Sequence, residues 1–113
     1  MEMEFKGKSV IITGASGGIG SETAHLFAEK GANITVNYLS SPKKAEKTVA
    51  AAHSCGVEAF SFEADVSDPK DVDSMIKETV SRFGRLDVLV NNSAKHPPPV
   101  FDFENPDWDY WKE

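Results

Sequence analysis

Thr13-Gly14-Ala15-Ser16-Gly17-Gly18-Ile19-Gly20 is the stretch that decides the fold of this chain. An apolar run, Val10-Ile11-Ile12, leads into it, and a helical pattern from Ser21 to Lys30 follows it. This order of residues predicts a strand, a glycine-rich turn and a helix.

Three glycines in the turn each have a separate expected task. Gly14 is expected to take a backbone conformation that a Cβ would hinder. Gly18 would let the backbone approach a bulky anion, and Gly20 would let the new helix pack closely on the strand. The helix N-terminus adds unpaired N–H groups and the positive end of its dipole. The pattern favours binding of a dinucleotide pyrophosphate over a turn without a ligand.

Composition limits the other function classes. The chain has 113 residues, enough for one domain, with 40% hydrophobic and 27% charged residues. Its net charge of −6 argues against binding to nucleic acid or to an anionic membrane. No apolar run approaches the roughly 20 residues that span a bilayer, and the start lacks an apolar signal segment. With Cys55 as the single cysteine, the sequence predicts a cytoplasmic protein without an internal disulfide or a metal site.

Strand and helix patterns alternate along the chain, which predicts an α/β fold with a parallel sheet covered by helices. The predicted strands are Ser9 to Thr13, Asn33 to Tyr38, Glu58 to Glu63 and Leu86 to Val90. The predicted helices are Gly18 to Lys30, Ser41-Pro42 to Ser54, and Asp68-Pro69 to the stop at Gly84. In the second and third helices a capping residue followed by proline marks the start.

Helical spacing also predicts which side chains face the core. The expected inward residues are Ile19, Thr23, Leu26 and Phe27 in the first helix, Ala45, Val49 and Ala52 in the second, and Val72, Met75, Ile76, Val80 and Phe83 in the third. The fourth strand is almost continuously apolar, as expected for burial on both faces. Residues 95–113 are predicted to form a loop and the start of a helix, with aromatic residues that need a cover.

These motifs together resemble the short-chain dehydrogenase/reductase family. Thr13-Gly14-x-x-x-Gly18-x-Gly20 looks like the family's cofactor turn, and Asp65-Val66 looks like its adenine-binding pair. Asn91-Asn92-Ser93-Ala94 resembles its Asn-Asn-Ala-Gly segment, preceded by the family-like run Gly84 to Val90. The resemblance implies a Rossmann-type sheet of order 3-2-1-4 with further strands beyond the fourth. It makes residues 1–113 the amino-terminal part of a single NAD(P)-binding domain.

The expected cofactor site lies at the carboxyl ends of the strands, where ligands bind in doubly wound sheets. Asp65 is interpreted as an adenine ligand rather than a loop acid, Asn91 as structural, and Asn92 as a ribose contact. Ser93 and Ala94 depart from the family's alanine and glycine. The full set of predicted cofactor-binding residues is Thr13, Gly14, Ser16, Gly17, Gly18, Ile19, Gly20, Tyr38, Ser40, Ser41, Asp65, Val66, Asn92, Ser93 and Ala94.

The end of the second strand bears on the choice of dinucleotide. Asn37-Tyr38-Leu39 holds no acid that would repel a 2′-phosphate, so the sequence favours NADP(H) over NAD(H). The basic residues often found in NADP-using relatives are missing, since Leu39 and Gly17 occupy those positions. Ser40, Ser41 and Lys43 could hold a phosphate instead. An ordinary capped surface helix explains those three residues equally well.

The resemblance implies catalysis by a serine, a Tyr-x-x-x-Lys pair and a helix asparagine, all downstream of the Asn91 segment. Tyr38 and Tyr110 are the tyrosines of this chain, and neither has a lysine four residues later. No catalytic residue is therefore predicted within residues 1–113. One hypothesis is an oxidoreductase segment whose intact enzyme, as a homo-oligomer, interconverts a small-molecule alcohol and carbonyl. The other is a non-catalytic module that binds a dinucleotide or a partner chain.

Overall fold

The first strand lies in the middle of a four-stranded parallel sheet of order β3-β2-β1-β4. The computed structural model describes residues 4–92. Its elements, in chain order, are β1 (Ser9–Ile12), α1 (Gly18–Glu29), β2 (Asn33–Tyr38), α2 (Pro42–His53), β3 (Ala59–Glu63), α3 (Pro69–Phe83) and β4 (Val88–Val90). This confirms the Rossmann-type fold and the strand order expected from the sequence. The ends of β2 are as predicted, and those of the other elements differ from the predicted ones by at most two residues.

The expectations for residues 93–113 lie outside the described residues. They include Ser93 and Ala94 of the cofactor set, the loop and helix start at 95–113, and the aromatic tail.

Alternate side chains of β1 point to opposite faces of the sheet. Val10 and Ile12 belong to a cluster of buried residues with α1 and α2. Ile11 belongs to a second, smaller cluster with Met75 of α3. Therefore α1 and α2 cover one face of the sheet, and α3 covers the other.

The inward face predicted for α1 is wrong. Ile19 and Leu26 are 72% and 58% exposed, whereas the buried residues of the helix are Gly20, Ala24 and Ala28. The helix therefore presents its small residues to the sheet, which lets its backbone approach β1 and the glycine turn closely. The apolar spacing pointed to the neighbouring face, where Phe27 is half-buried and packs edge-on against Phe5 with ring centroids 5.1 Å apart.

Predictions for α2 and α3 fared better. Ala45, Val49 and Ala52 are buried as expected. Asp68 caps α3 by accepting a hydrogen bond from the Lys70 N–H at 2.9 Å, and Gly84 ends the helix with φ 80°. In the predicted stripe of α3, Met75 is buried but Val80 is 42% exposed. The side chain of Ser41 makes no capping hydrogen bond, in contrast to its predicted role.

The fourth strand is shorter and more exposed than the sequence predicted. β4 pairs with β1 at one edge of the sheet, and Leu89 is 53% exposed. The expectation of burial on both faces is wrong for this strand within residues 4–92. Its apolar sequence is typical of a strand that is buried on both faces. It is exposed here because the described residues place nothing along its outer edge.

Candidate functional site

The glycine turn is fixed by hydrogen bonds from the end of β2. Gly14 has φ 61°, a left-handed conformation that favours glycine, as predicted. Its N–H donates to Oδ1 of Asn37 at 3.1 Å, and the N–H of Ala15 donates to the Asn37 carbonyl at 3.0 Å. One residue of β2 therefore sets the shape of the turn that follows β1.

Asn37 is the site residue that sequence reasoning missed. Its side chain is buried, and its Nδ2 also donates to the Ala64 carbonyl at 3.1 Å. It thus joins β2 to the segments that follow β1 and β3. The available signal was a polar amide in a strand whose neighbours are apolar, because a buried amide needs several hydrogen-bond partners. In the sequence, Asn37 stands out only as a position without an acid.

Beyond Gly14 the turn opens into α1 with its N–H groups facing outward. Gly17 is extended, with φ −167°, and Gly18 has φ 58°. A Cβ at Gly18 would meet no protein atom within 4 Å. Among the described residues, the first N–H of α1 with a hydrogen-bond partner is that of Ser21, which donates to the Gly17 carbonyl at 3.4 Å. The earlier N–H groups and the helix dipole form an anion-binding arrangement.

Gly20 is where α1 comes closest to the turn. A Cβ built there would overlap the Gly14 carbonyl oxygen and would lie 2.8 Å from Nδ2 of Asn92 and 2.9 Å from Cα of Ala15. The predicted reason for this glycine, close packing, is what the structure shows. Any larger residue would push the helix N-terminus away from the strand.

The segment after β4 is locked to the same turn. Thr13 donates its hydroxyl proton to Oδ1 of Asn91 at 2.8 Å, and its Oγ1 accepts from the Asn92 N–H at 2.9 Å. The Nδ2 of Asn92 lies 3.5 Å from the Gly14 carbonyl. Asn91, interpreted from the sequence as structural, therefore contacts the side chain of Thr13. The ribose contact assigned to Asn92 stays a prediction.

Asp65 and Val66 follow β3 at the same edge of the sheet. Oδ1 of Asp65 accepts from both the N–H and the hydroxyl of Ser67, at 2.9 and 2.6 Å. The Asp65 N–H donates to Oδ2 of Asp71 at 2.9 Å. These contacts orient the exposed Asp65 carboxylate, and Asp68 fills the capping role, as the sequence reasoning assumed. Adenine binding by Asp65 and Val66 stays a prediction.

The structure thus brings most of the predicted site residues to one edge of the sheet. Tyr38 is half-buried at the end of β2, and Leu39 and Ser40 beyond it are exposed. Within residues 4–92, the hydroxyls of Ser16, Ser40 and Ser41 have no hydrogen-bond partner. Polar groups that the protein leaves uncommitted therefore surround the turn on the β2 side.

One charged pair, Arg85 and Asp87, lies at the amino ends of the strands, opposite the glycine turn. Hydrogen bonds from Arg85 and from the Ser9 N–H hold the pKa of the Asp87 carboxyl below its usual range. The hydrogen bond with Asp87 in turn raises the pKa of Arg85. Since Ser9 begins β1, this pair fastens the amino ends of β1 and β4 and lies away from the turn.

Two other kinds of site are absent from residues 4–92. Residues 4–92 contain no cluster of three or more His, Cys, Asp or Glu side chains arranged to hold a metal ion. None of the helices in this range has the length and apolar character needed to cross a bilayer.

With the geometry of the turn established, comparison with known proteins identifies the family. The family model for short chain dehydrogenase matches residues 8–111. This chain belongs to the short-chain dehydrogenase family. The match spans the glycine turn, Asp65 and the Asn91 segment in one continuous alignment.

Among curated relatives, the chain is similar to the 3-oxoacyl-[acyl-carrier-protein] reductase FabG of Staphylococcus aureus, with 51% identity over 87 residues. These residues cover 77% of this chain and 35% of the relative. The chain therefore spans about a third of the length of the curated relatives it matches.

Solved structures of the family share the fold and differ in their cofactor. A short chain dehydrogenase from Burkholderia cenocepacia in complex with NADP superposes with a TM-score of 0.77 and 31% identity, covering 93% of this chain and 42% of that one. The NAD+-bound xylitol dehydrogenase superposes with a TM-score of 0.75 and 36% identity, covering 80% and 35%. Relatives of similar likeness thus carry either dinucleotide.

Proposed function

We propose that this chain is the dinucleotide-binding part of an NAD(P)(H)-dependent oxidoreductase that interconverts an alcohol and a carbonyl compound. The observation that carries the proposal is the Thr13–Gly20 turn, whose shape is fixed by Asn37 and whose Gly14 and Gly18 take positive φ values. Family membership supports the reaction class. The nicotinamide, when bound, would supply the hydride acceptor or donor.

The residues of this chain would hold and orient the cofactor. The N–H groups from Ser16 to Gly20 would bind the pyrophosphate, because they lack protein partners and carry the positive end of the α1 dipole. Asp65 and Val66 would contact the adenine, Tyr38 would flank the adenosine, and Asn92 the ribose next to the nicotinamide. Thr13 and Asn37 would act indirectly, by keeping the turn in its binding shape.

NADP(H) is the proposed preference over NAD(H). An acid at the end of β2 would bond both ribose hydroxyls and repel a 2′-phosphate, and the chain has Asn37-Tyr38-Leu39 there. The side chain of Asn37 is committed to Gly14 and Ala64 and does not replace such an acid. The exposed Ser40 is compatible with a phosphate at this end of the strand.

Turnover is assigned to groups other than those of residues 1–113. The family resemblance implies a Tyr-x-x-x-Lys pair, and neither tyrosine of this sequence has a lysine at that spacing. The chain alone should therefore bind a dinucleotide without oxidising or reducing a substrate. Nicotinamide-dependent absorbance change at 340 nm, a wavelength set by the reduced cofactor, would be the readout, and turnover by the purified chain would contradict this assignment. The substrate class and the cytoplasmic location stay predictions.

Binding is tested by titrating the purified protein with NADPH and with NADH, before and after Gly14→Val. A branched side chain at φ 61° strains the turn, so affinity should fall by more than about tenfold. Gly56→Val is the matched control, since Gly56 also has a positive φ of 88° but lies between α2 and β3 with nothing near its Cβ. Equal loss in both variants, or none in Gly14→Val, would mean that Thr13–Gly20 is only a turn.

An alternative function is favoured by one surface. Within residues 4–92, β4 lies at an edge of the sheet with Leu89 exposed, and an apolar edge strand can pair with another chain. In that case residues 1–113 would be a partner-binding module. The titrations decide between the two functions, because a module of this kind need not bind either dinucleotide.

A further inference from the structure

The second helix lies against the glycine turn through a buried hydroxyl. Oγ1 of Thr48 donates to the Ala15 carbonyl at 2.9 Å, and Thr48 is 6% exposed. This contact fixes the amino-terminal half of α2 beside the turn. Between α1 and α2 it leaves an open cleft of about 550 Å³, with Ser16 at the turn and Lys44 and Lys47 on the α2 side.

Lys44 reaches the position where the turn lacks a side chain. A Cβ built on Gly17 would lie 3.9 Å from Cδ of Lys44, and no other protein atom lies within 4 Å of it. The aliphatic stem of Lys44 therefore lies beside Gly17, in the cleft that Ser16 of the turn also lines. Lys43, which the sequence had suggested for this task, does not line the cleft.

The charges around this point are unbalanced. Lys43 and Lys44 lie in the first turn of α2, which holds no acidic residue, so two cations face the positive end of the helix dipole. Among residues 4–92, Lys43, Lys44 and Lys47 have no carboxylate oxygen within 4.0 Å of their ammonium groups. Glu22, across the cleft, likewise has no cationic partner within this distance among these residues. Such an arrangement is stabilised by an anion more than by the solvent alone.

The geometry points to Lys44 as the residue that recognises the 2′-phosphate of NADP(H) and so sets the cofactor preference. It supplies from α2 the cation that Gly17 and Leu39 do not supply from the turn and from the end of β2. Ser40 is exposed, and the hydroxyl of Ser41 makes no capping hydrogen bond. Both residues lie at the same end of α2 and would share the phosphate oxygens. The inference rests on the proposed function, because it needs a dinucleotide seated on the Thr13–Gly20 turn.

The test measures dissociation constants for NADPH and NADH with the parent chain and with Lys44→Gln. The variant removes the charge and keeps a polar end on a shorter stem. NADPH binding should weaken about tenfold, while NADH binding changes less than about twofold, because one charge-assisted hydrogen bond to a phosphate is lost. Added salt should reduce the NADPH preference of the parent and have little effect on the variant.

Lys47→Gln is the matched control. Lys47 lies on the same helix and lines the same cleft, one helical turn farther from Gly17. Both variants lose one positive charge, so a loss of general electrostatic attraction alone would weaken NADPH binding equally in the two. Since Lys44 and not Lys47 binds the phosphate in this proposal, NADPH binding by Lys47→Gln should weaken less than about threefold.

A rescue experiment separates phosphate recognition from damage to the fold. Gly17 has an extended backbone, with φ −167°, which any residue adopts, and its Cβ would make only an ordinary contact. Adding Gly17→Arg to Lys44→Gln should therefore restore the NADPH preference by returning a cation to the turn. A double variant that still binds NADPH and NADH alike would overturn the role of Lys44 in selectivity.

The outcomes distinguish this inference from the proposed function. Equal affinity of the parent for NADPH and NADH, or an equal loss of both in Lys44→Gln, would overturn the assignment of Lys44 while the dinucleotide site stands. Absence of binding for both cofactors would overturn the proposed function and this inference with it. Selective loss of NADPH binding, restored by Gly17→Arg, supports both.

Discussion

The two faces of the sheet are built very differently. On the face covered by α1 and α2, eleven buried residues form one cluster, several of them alanines that bring helix and strand backbones close together. On the face covered by α3, the buried cluster consists of Ile11, Ala64 and Met75, with half-buried side chains around it. Within residues 4–92, one core is therefore closed and the other is covered only in part.

The more completely packed face is the one that supports the candidate phosphate site. The closed face carries α1, whose N-terminus forms the candidate phosphate site, and α2, which places Lys44 beside it. A preorganised binding turn needs a rigid support, and small side chains packed at short range provide one. The α3 face instead relies on polar contacts, among them a buried bond between the hydroxyls of Thr35 and Thr79 at 2.8 Å. We expect the two faces to respond differently to substitution.

The largest effect should come from Gly20→Ala on the closed face. One methyl group there would overlap the Gly14 carbonyl and press on Ala15, so α1 must move away from the turn. We expect the free energy of unfolding to fall by about 3 kcal/mol, with weaker dinucleotide binding, because well-packed sites tolerate added volume poorly. Urea unfolding gives the first quantity and NADPH titration the second.

Gly17→Ala is the control for this substitution. It adds the same methyl group three residues earlier, where the backbone is extended and the contact with Lys44 is ordinary. Its free energy of unfolding should change by less than about 0.5 kcal/mol. Equal stability of the two variants would show that the closed face can accommodate an added methyl group. The contrast drawn between the two faces would then be wrong.

The sequence predicted the elements, their order and the glycine turn, because these depend on local patterns: apolar strand residues, caps, and glycines where the chain must turn. It also placed Thr13, Tyr38, Asp65 and Asn91 at the strand ends, which the parallel sheet brings to one edge. What it missed depends on contacts between distant segments.

Three misses illustrate this limit. The buried face of α1 is set by how closely Gly20, Ala24 and Ala28 approach β1, and a hydrophobicity pattern weights small residues too little to reveal it. Asn37 acquires its role only when β1 and β3 lie beside β2. Lys44 comes to lie beside Gly17 only because Thr48 fixes α2 against the turn.

On the α3 face, the next largest effect should come from Thr79→Val. Thr79 donates to the Met75 carbonyl at 2.8 Å and so accepts from Thr35, and both side chains are fully buried. Valine keeps the shape and leaves the Thr35 hydroxyl without its partner, which should cost about 2 kcal/mol in the free energy of unfolding. Chemical denaturation measures the loss.

The double variant Thr35→Val with Thr79→Val completes the cycle. With both hydroxyls gone, no buried donor is left unpaired, so the free energy of unfolding should recover to within about 1 kcal/mol of the parent. Losses that simply add would indicate that the two threonines act independently, and the polar contact would not be what holds α3 to β2.

The smallest effect is expected at Asp87, which joins the amino ends of β1 and β4. Its carboxylate accepts from Arg85 and from the Ser9 N–H, and both bonds lower its pKa in the folded chain. A lowered folded pKa means that the stabilisation is present above the unfolded pKa and disappears as the pH falls through the folded value. Asp87→Asn should therefore unfold at a lower temperature than the parent at pH 7, and the difference should shrink in acid. Asp73→Asn, at an exposed pair with Lys77, is the control, and a pH dependence of equal size there would show that Asp87 does no more for β4 than a surface charge does.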